Sequence, residues 1–116
     1  MQNPNLILAT DLDGTFLGGS DEQRRDLYGQ LNARDDALLI FVTGRDLDFI
    51  RGLIAQPGMP RPHYIIGDVG TTIVDGRDFA PLSEVQDEIG ERWGDAGDRV
   101  RKMLAGEPGL ELQPTP

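Results

Sequence analysis

The run Leu6–Thr10 is apolar without helical period, and it stops abruptly on Asp11-Leu12-Asp13-Gly14. Bounded by Pro4 on one side and carboxylates on the other, it reads as a buried parallel strand that delivers charge to its carboxyl end. A strand of that kind needs parallel neighbours joined through helices, and the rest of the sequence is written in that alternation. Gly14, Gly18 and Gly19 mark a loop, and Ser20 with Gln23 forms a capping box. A helix is predicted over about residues 21 to 33, with Leu27, Tyr28 and Leu31 on its apolar face.

A second buried strand is predicted at "ALLIFV", residues 37 to 42, halted by Thr43-Gly44-Arg45. A helix follows from Asp46 to Ala55, and "HYIIG", residues 63 to 67, gives a third strand. "TTIVDGRDF" is predicted to be a hairpin turning at Asp75-Gly76, a dipeptide that type I′ turns favour. Ser83 and Gln86 match a second capping box. Apolar residues from Val85 through Trp93 to Leu104 then recur at helical spacing, although Gly90, Gly94 and Gly97 weaken the helix. A short strand at 110 to 112 is expected last. The fold class is therefore α/β, a Rossmann-like three-layer core with a parallel sheet and a β-hairpin after the third strand. In such sheets ligands lie beyond the carboxyl ends of the strands, where Asp11, Asp13 and Thr43 fall.

Asp11 and Asp13 point the same way if the extended path continues past Thr10. Two carboxylates so placed repel unless a cation or proton lies between them, and a hard divalent ion with oxygen ligands, Mg²⁺, suits the pair. Phosphoryl transfer fits this arrangement. One carboxylate attacks phosphorus, and the other protonates the leaving oxygen and deprotonates the incoming water. Thr43 supplies a hydroxyl and Gly44 an approachable N–H, here expected to open a helix, which together make an anion site.

Composition limits the alternatives. The formal net charge is −9, which argues against a nucleic-acid partner, and no apolar run is long enough to cross a bilayer. The absence of cysteine excludes disulfides and thiolate chemistry and fits a cytoplasmic location. An EF-hand reading places Asp11, Asp13, Thr15 and Glu22 at ligand positions but puts Phe16 where glycine is needed, so it fails. A phospho-accepting receiver domain is the rival from another class, with Asp68 as acceptor and Lys102 as its helper. The interrupting hairpin and the Gly-Thr after the aspartates count against it. His63, Trp93 and the arginines on helix faces are read as structural.

"DLDGTFL" and "VTGR" resemble the first two motifs of the haloacid dehalogenase-like phosphatases. "YIIGDVGTTIVDGRDF" and "LELQPTP" look most like the sucrose-phosphate phosphatase branch of that superfamily. The resemblance implies Asp11 as nucleophile and Mg²⁺ ligand, and Asp13 as general acid/base that offers the metal its backbone carbonyl. It implies Thr43 and Gly44 as phosphate binders, with Arg45 nearby, and a small sugar phosphate such as sucrose 6-phosphate as substrate. It further implies a lysine and additional acidic ligands that nothing after Trp93 supplies. The expectation is thus the N-terminal half of a phosphatase core over residues 1 to 105, with 106 to 116 leading toward a cap. Such a segment would hydrolyse sugar phosphates poorly alone, and a non-catalytic interaction role is the remaining alternative. Oligomeric state is not legible.

Overall fold

A computed structural model describes residues 3–113. Four strands form one sheet in the order β1 (Leu6–Thr10), β2 (Ala37–Val42), β3 (Tyr64–Gly67), β4 (Thr72–Asp75). The first three are parallel, and β4 runs antiparallel against β3. Helix α1 (Asp21–Asn32) joins β1 to β2, and α2 (Leu47–Ile54) joins β2 to β3. Helices α3 (Ser83–Trp93) and α4 (Ala96–Leu104) follow the sheet.

Register explains where the core sits. Leu8 stands opposite Leu39, Thr10 opposite Phe41, Phe41 opposite Ile65, and Ile65 opposite Val74, so these side chains share one face. That face meets Ile50 and Leu53 of α2 and Tyr28 and Leu31 of α1, with Leu12 and Phe16 closing the end. Phe16 stacks on Tyr28 at 4.8 Å and tilts against Phe41 at 5.3 Å. Phe41, Leu12, Ile50 and Ile65 are wholly buried, each contributing roughly 1.5–3 kcal/mol by the usual area accounting.

The predicted strands at 6–10 and 37–42 have those bounds, and the Ser20–Gln23 capping box forms with both of its hydrogen bonds. Other expectations need correction. Among the described residues β1 is not fully buried: it lies at the sheet edge, and Ile7 is 63% exposed on the uncovered face. Leu27 likewise lies exposed while Tyr28 and Leu31 pack.

The hairpin is formed by β3 and β4 themselves, turning at Asp68–Thr71, not by two runs flanking Asp75-Gly76. At Asp75 the carboxylate accepts from Arg77 N at 2.8 Å, an Asx turn, and the return leg holds only an isolated bridge between Val74 and Pro81. Proline lacks the N–H that would extend the ladder. Gly76 is needed for close approach, since a Cβ there would stand 1.9 Å from the Pro62 carbonyl oxygen.

The predicted long helix is two helices broken where Gly94 takes φ 52°. Its capping box does not form, because Gln86 is drawn to the sheet. Its Oε1 accepts from Ile73 N at 2.7 Å, and its Nε2 donates to the Thr71 carbonyl at 2.6 Å. Neither helix has a buried residue: of the Val85–Leu104 stripe expected to pack, Val85, Trp93, Val100 and Leu104 are exposed, and Ile89 and Ala96 are only partly covered. No strand forms at 110–112, and residues 114–116 of the expected transition segment lie outside the described residues.

Candidate active site

Beyond Thr10 the chain does not continue as a strand. Phe16 N donates to the Asp11 carbonyl at 3.2 Å and Leu17 N to the Leu12 carbonyl at 2.9 Å, so residues 12–16 close a wide π-helical turn. Gly14 makes this possible with φ 75°. Leu12 and Phe16 point into the core as anchors, and Asp11, Asp13 and Thr15 are left exposed at the carboxyl end of the sheet. The extended path on which the two aspartates were expected to align is absent, and a turn with Leu12 buried between them carries both into solvent. The Thr15 hydroxyl donates to Asp11 Oδ2 at 3.3 Å. This contact is not foreseen from the sequence, where Thr15 is placed only at an EF-hand ligand position.

The second loop comes from β2. Thr43 is only 5% exposed, its N–H donates to the Ile66 carbonyl at 2.9 Å, and its hydroxyl accepts from Arg45 N at 3.1 Å. Gly44 is exposed beside it. One expectation changes here: Gly44 does not begin a helix. α2 starts three residues later at Leu47, and Asp46 caps it by accepting from Phe49 N at 2.9 Å. What this loop could present to an anion is therefore the Thr43 hydroxyl and loop amides, not the first turn of a helix.

Arg45 joins the two loops. Its Nε and one terminal nitrogen each meet a different oxygen of Asp13 at 3.0 Å, a bidentate pair spanning 32 residues of sequence. The guanidinium also lies 4.4 Å from the Phe49 ring centroid. Hydrogen bonding to Arg45 holds the Asp13 carboxyl below the ordinary carboxylate value, though both side chains are about half exposed, so solvent screens the pair. The third strand end belongs to the same edge, because Asp68 N donates to the Arg45 carbonyl at 2.9 Å. Asp68 is committed locally: its carboxylate accepts from the Thr72 hydroxyl at 2.6 Å.

The donors suit a hard cation in kind, being oxygen only. They fall short in number: no group of three or more His, Cys, Asp or Glu residues among those described could hold a metal. No helix among the described residues is long and apolar enough to cross a membrane.

Comparison with known proteins bears on this geometry. The sequence pattern of the family described as Sucrose-6F-phosphate phosphohydrolase matches residues 4–116. A glucosylglycerol-phosphate synthase of Pseudomonas anguilliseptica is 42% identical over 111 residues, which is 96% of this chain and 14% of that protein. A mannosylfructose-phosphate phosphatase of Agrobacterium fabrum (strain C58 / ATCC 33970) is 40% identical over 72 residues, 60% of this chain and 29% of that protein. The chain thus spans less than a third of either curated relative. Among solved structures, the sucrose-phosphatase of Synechocystis sp. PCC6803, in complex with sucrose and phosphate, superposes with TM-score 0.76 at 26% identity. That match covers 96% of this chain and 44% of the other.

Proposed function

The chain belongs to the sucrose-6F-phosphate phosphohydrolase family, and from that membership we propose that it carries the nucleophile, proton-transfer group and phosphate grip of a sugar-phosphate phosphatase. The observation that supports this most is the bidentate Arg45–Asp13 pair, which ties the D-x-D-G-T turn to the Thr43-Gly44 loop at one sheet edge.

In this reading an Asp11 oxygen attacks phosphorus, and the phosphorus–oxygen bond to the sugar breaks. Once Arg45 has turned away and Asp13 has taken up a proton, Asp13 gives that proton to the departing oxygen. Water then attacks the aspartyl-phosphate, Asp13 takes the proton back, and phosphate leaves with Asp11 restored. Thr15 steadies Asp11 for the attack. The Thr43 hydroxyl and Gly44 N–H hold the transferring phosphoryl oxygens. Arg45 neutralises phosphate charge when it turns from Asp13, and the turn releases Asp13 for proton transfer.

Mg²⁺, held by Asp11 and the Asp13 carbonyl, would neutralise phosphate charge when bound. With so few protein oxygens the ion would bind weakly to this stretch. Sucrose 6-phosphate is the leading substrate, and phosphorylated glycosides of the kind named for the relatives are the wider class. A cytoplasmic setting agrees with the cysteine-free sequence.

The test is covalent capture. Acetyl phosphate with Mg²⁺, followed by borohydride trapping and peptide mass spectrometry, is expected to mark Asp11 and to mark nothing there in Asp11→Asn. Label on Asp68 instead would transfer the proposal to the receiver reading.

A further inference from the structure

The connection between β3 and β4 carries a residue that its own geometry does not ask for. Val69 has φ 59° and ψ 31°, Gly70 has φ 94°, and Thr71 N donates to the Asp68 carbonyl at 3.3 Å. These are the marks of a type I′ turn, whose central positions favour Asn, Asp or Gly. A β-branched residue in the left-handed region is a genuine outlier. The turn explains the positive φ, but it does not explain the valine. Nor does packing, since Val69 is 83% exposed.

The strained conformation is held from both sides. Asp68 N is tied to the Arg45 carbonyl at 2.9 Å, and the Asp68 carbonyl also accepts from the Thr71 hydroxyl at 2.8 Å. The Thr71 carbonyl accepts from Gln86 of α3 at 2.6 Å. Strained backbone persists where its surroundings over-determine it, and it gathers at sites of function.

The position of the side chain supplies the second half of the argument. A Cβ built on Gly44 would stand 3.7 Å from Val69 Cγ2, so the isopropyl group overhangs the phosphate-binding loop. A sugar bound through its phosphate at Thr43-Gly44 would extend outward past this point, and sugar rings carry apolar C–H faces beside their hydroxyls. We infer that Val69 is a specificity-determining residue, an exposed apolar step over Gly44 against which the carbohydrate part of a phosphorylated sugar packs. The inference rests on the phosphate site proposed above.

Isothermal titration with Mg²⁺ present can separate the two. The ligands are inorganic phosphate and whichever of sucrose 6-phosphate and glucose 6-phosphate binds the unaltered chain more tightly. Val69→Asn keeps a residue that tolerates the left-handed turn, and Val69→Gly removes the strain outright. Both variants are expected to weaken the sugar phosphate about 5- to 10-fold, leave inorganic phosphate unchanged, and unfold at no lower temperature than the unaltered chain. Equal weakening of both ligands, or no change in either, overturns the role of Val69 while the phosphate site stands. An unaltered chain that binds neither ligand overturns the phosphate site and this inference with it.

Discussion

Residues 6–82 and residues 83–113 both carry helices with an apolar face, yet they meet different fates. In the first region the apolar residues close on one another: Phe41, Ile50, Ile65 and Leu12 lose all contact with water. In the second, α3 and α4 carry no buried residue, and Trp93 is 58% exposed. The whole chain reflects this. Its radius of gyration is 17.1 Å, against about 13 Å for a compact domain of the same length. The comparison teaches that helical periodicity predicts a helix but not its burial. The two C-terminal helices are held along their surfaces by pairs such as Arg92–Glu88 and Arg99–Asp95, each worth only a few tenths of a kcal/mol. α1 and α2 instead gain from the core that they help to build.

Substitutions can press on this contrast. Phe41→Ala should have the largest effect, about 3–5 kcal/mol of lost stability in denaturant unfolding, because it empties the centre of a well-packed face. A loss below about 1 kcal/mol would mean that the sheet region is no better packed than the helices. Gly76→Ala comes next, at roughly 1–3 kcal/mol, since the added methyl must displace the Pro62 backbone. Thermal unfolding of that variant also checks whether the turn after β4 is rigid. Trp93→Ala should cost least, within about 0.5 kcal/mol, as expected of a residue with little tertiary contact. A loss above 2 kcal/mol would show that α3 is anchored after all and would erase the contrast.

The site was more legible than the C-terminal region, for a local reason. Asp11, Asp13, Thr43, Gly44 and Arg45 sit within a few residues of strand ends, and a parallel sheet brings those ends to one edge whatever the details of packing. The helix expected at 46 to 55 forms within a residue of those bounds, but Gly44 does not open it, because Asp46 is itself a capping residue and sets its start. The turn type was assigned to the wrong glycine. Asp75-Gly76 has the favoured composition, but its glycine serves a close contact with Pro62. Val69-Gly70, with unfavoured composition, carries the type I′ geometry.

Strand and helix order over the first 55 residues, the capping of α1, and the placing of carboxylates and a hydroxyl at one sheet edge were legible from the residues alone. These follow from periodicity, caps and chain connectivity, all of which act over a few residues. Long-range packing set the rest: Arg45 reaches Asp13 across 32 residues, Gln86 leaves its capping box for the edge of β4, and α3 and α4 bury no residue among those described. Each outcome is a competition between a local partner and a distant one. Its winner depends on which groups the folded chain brings within hydrogen-bonding or contact distance.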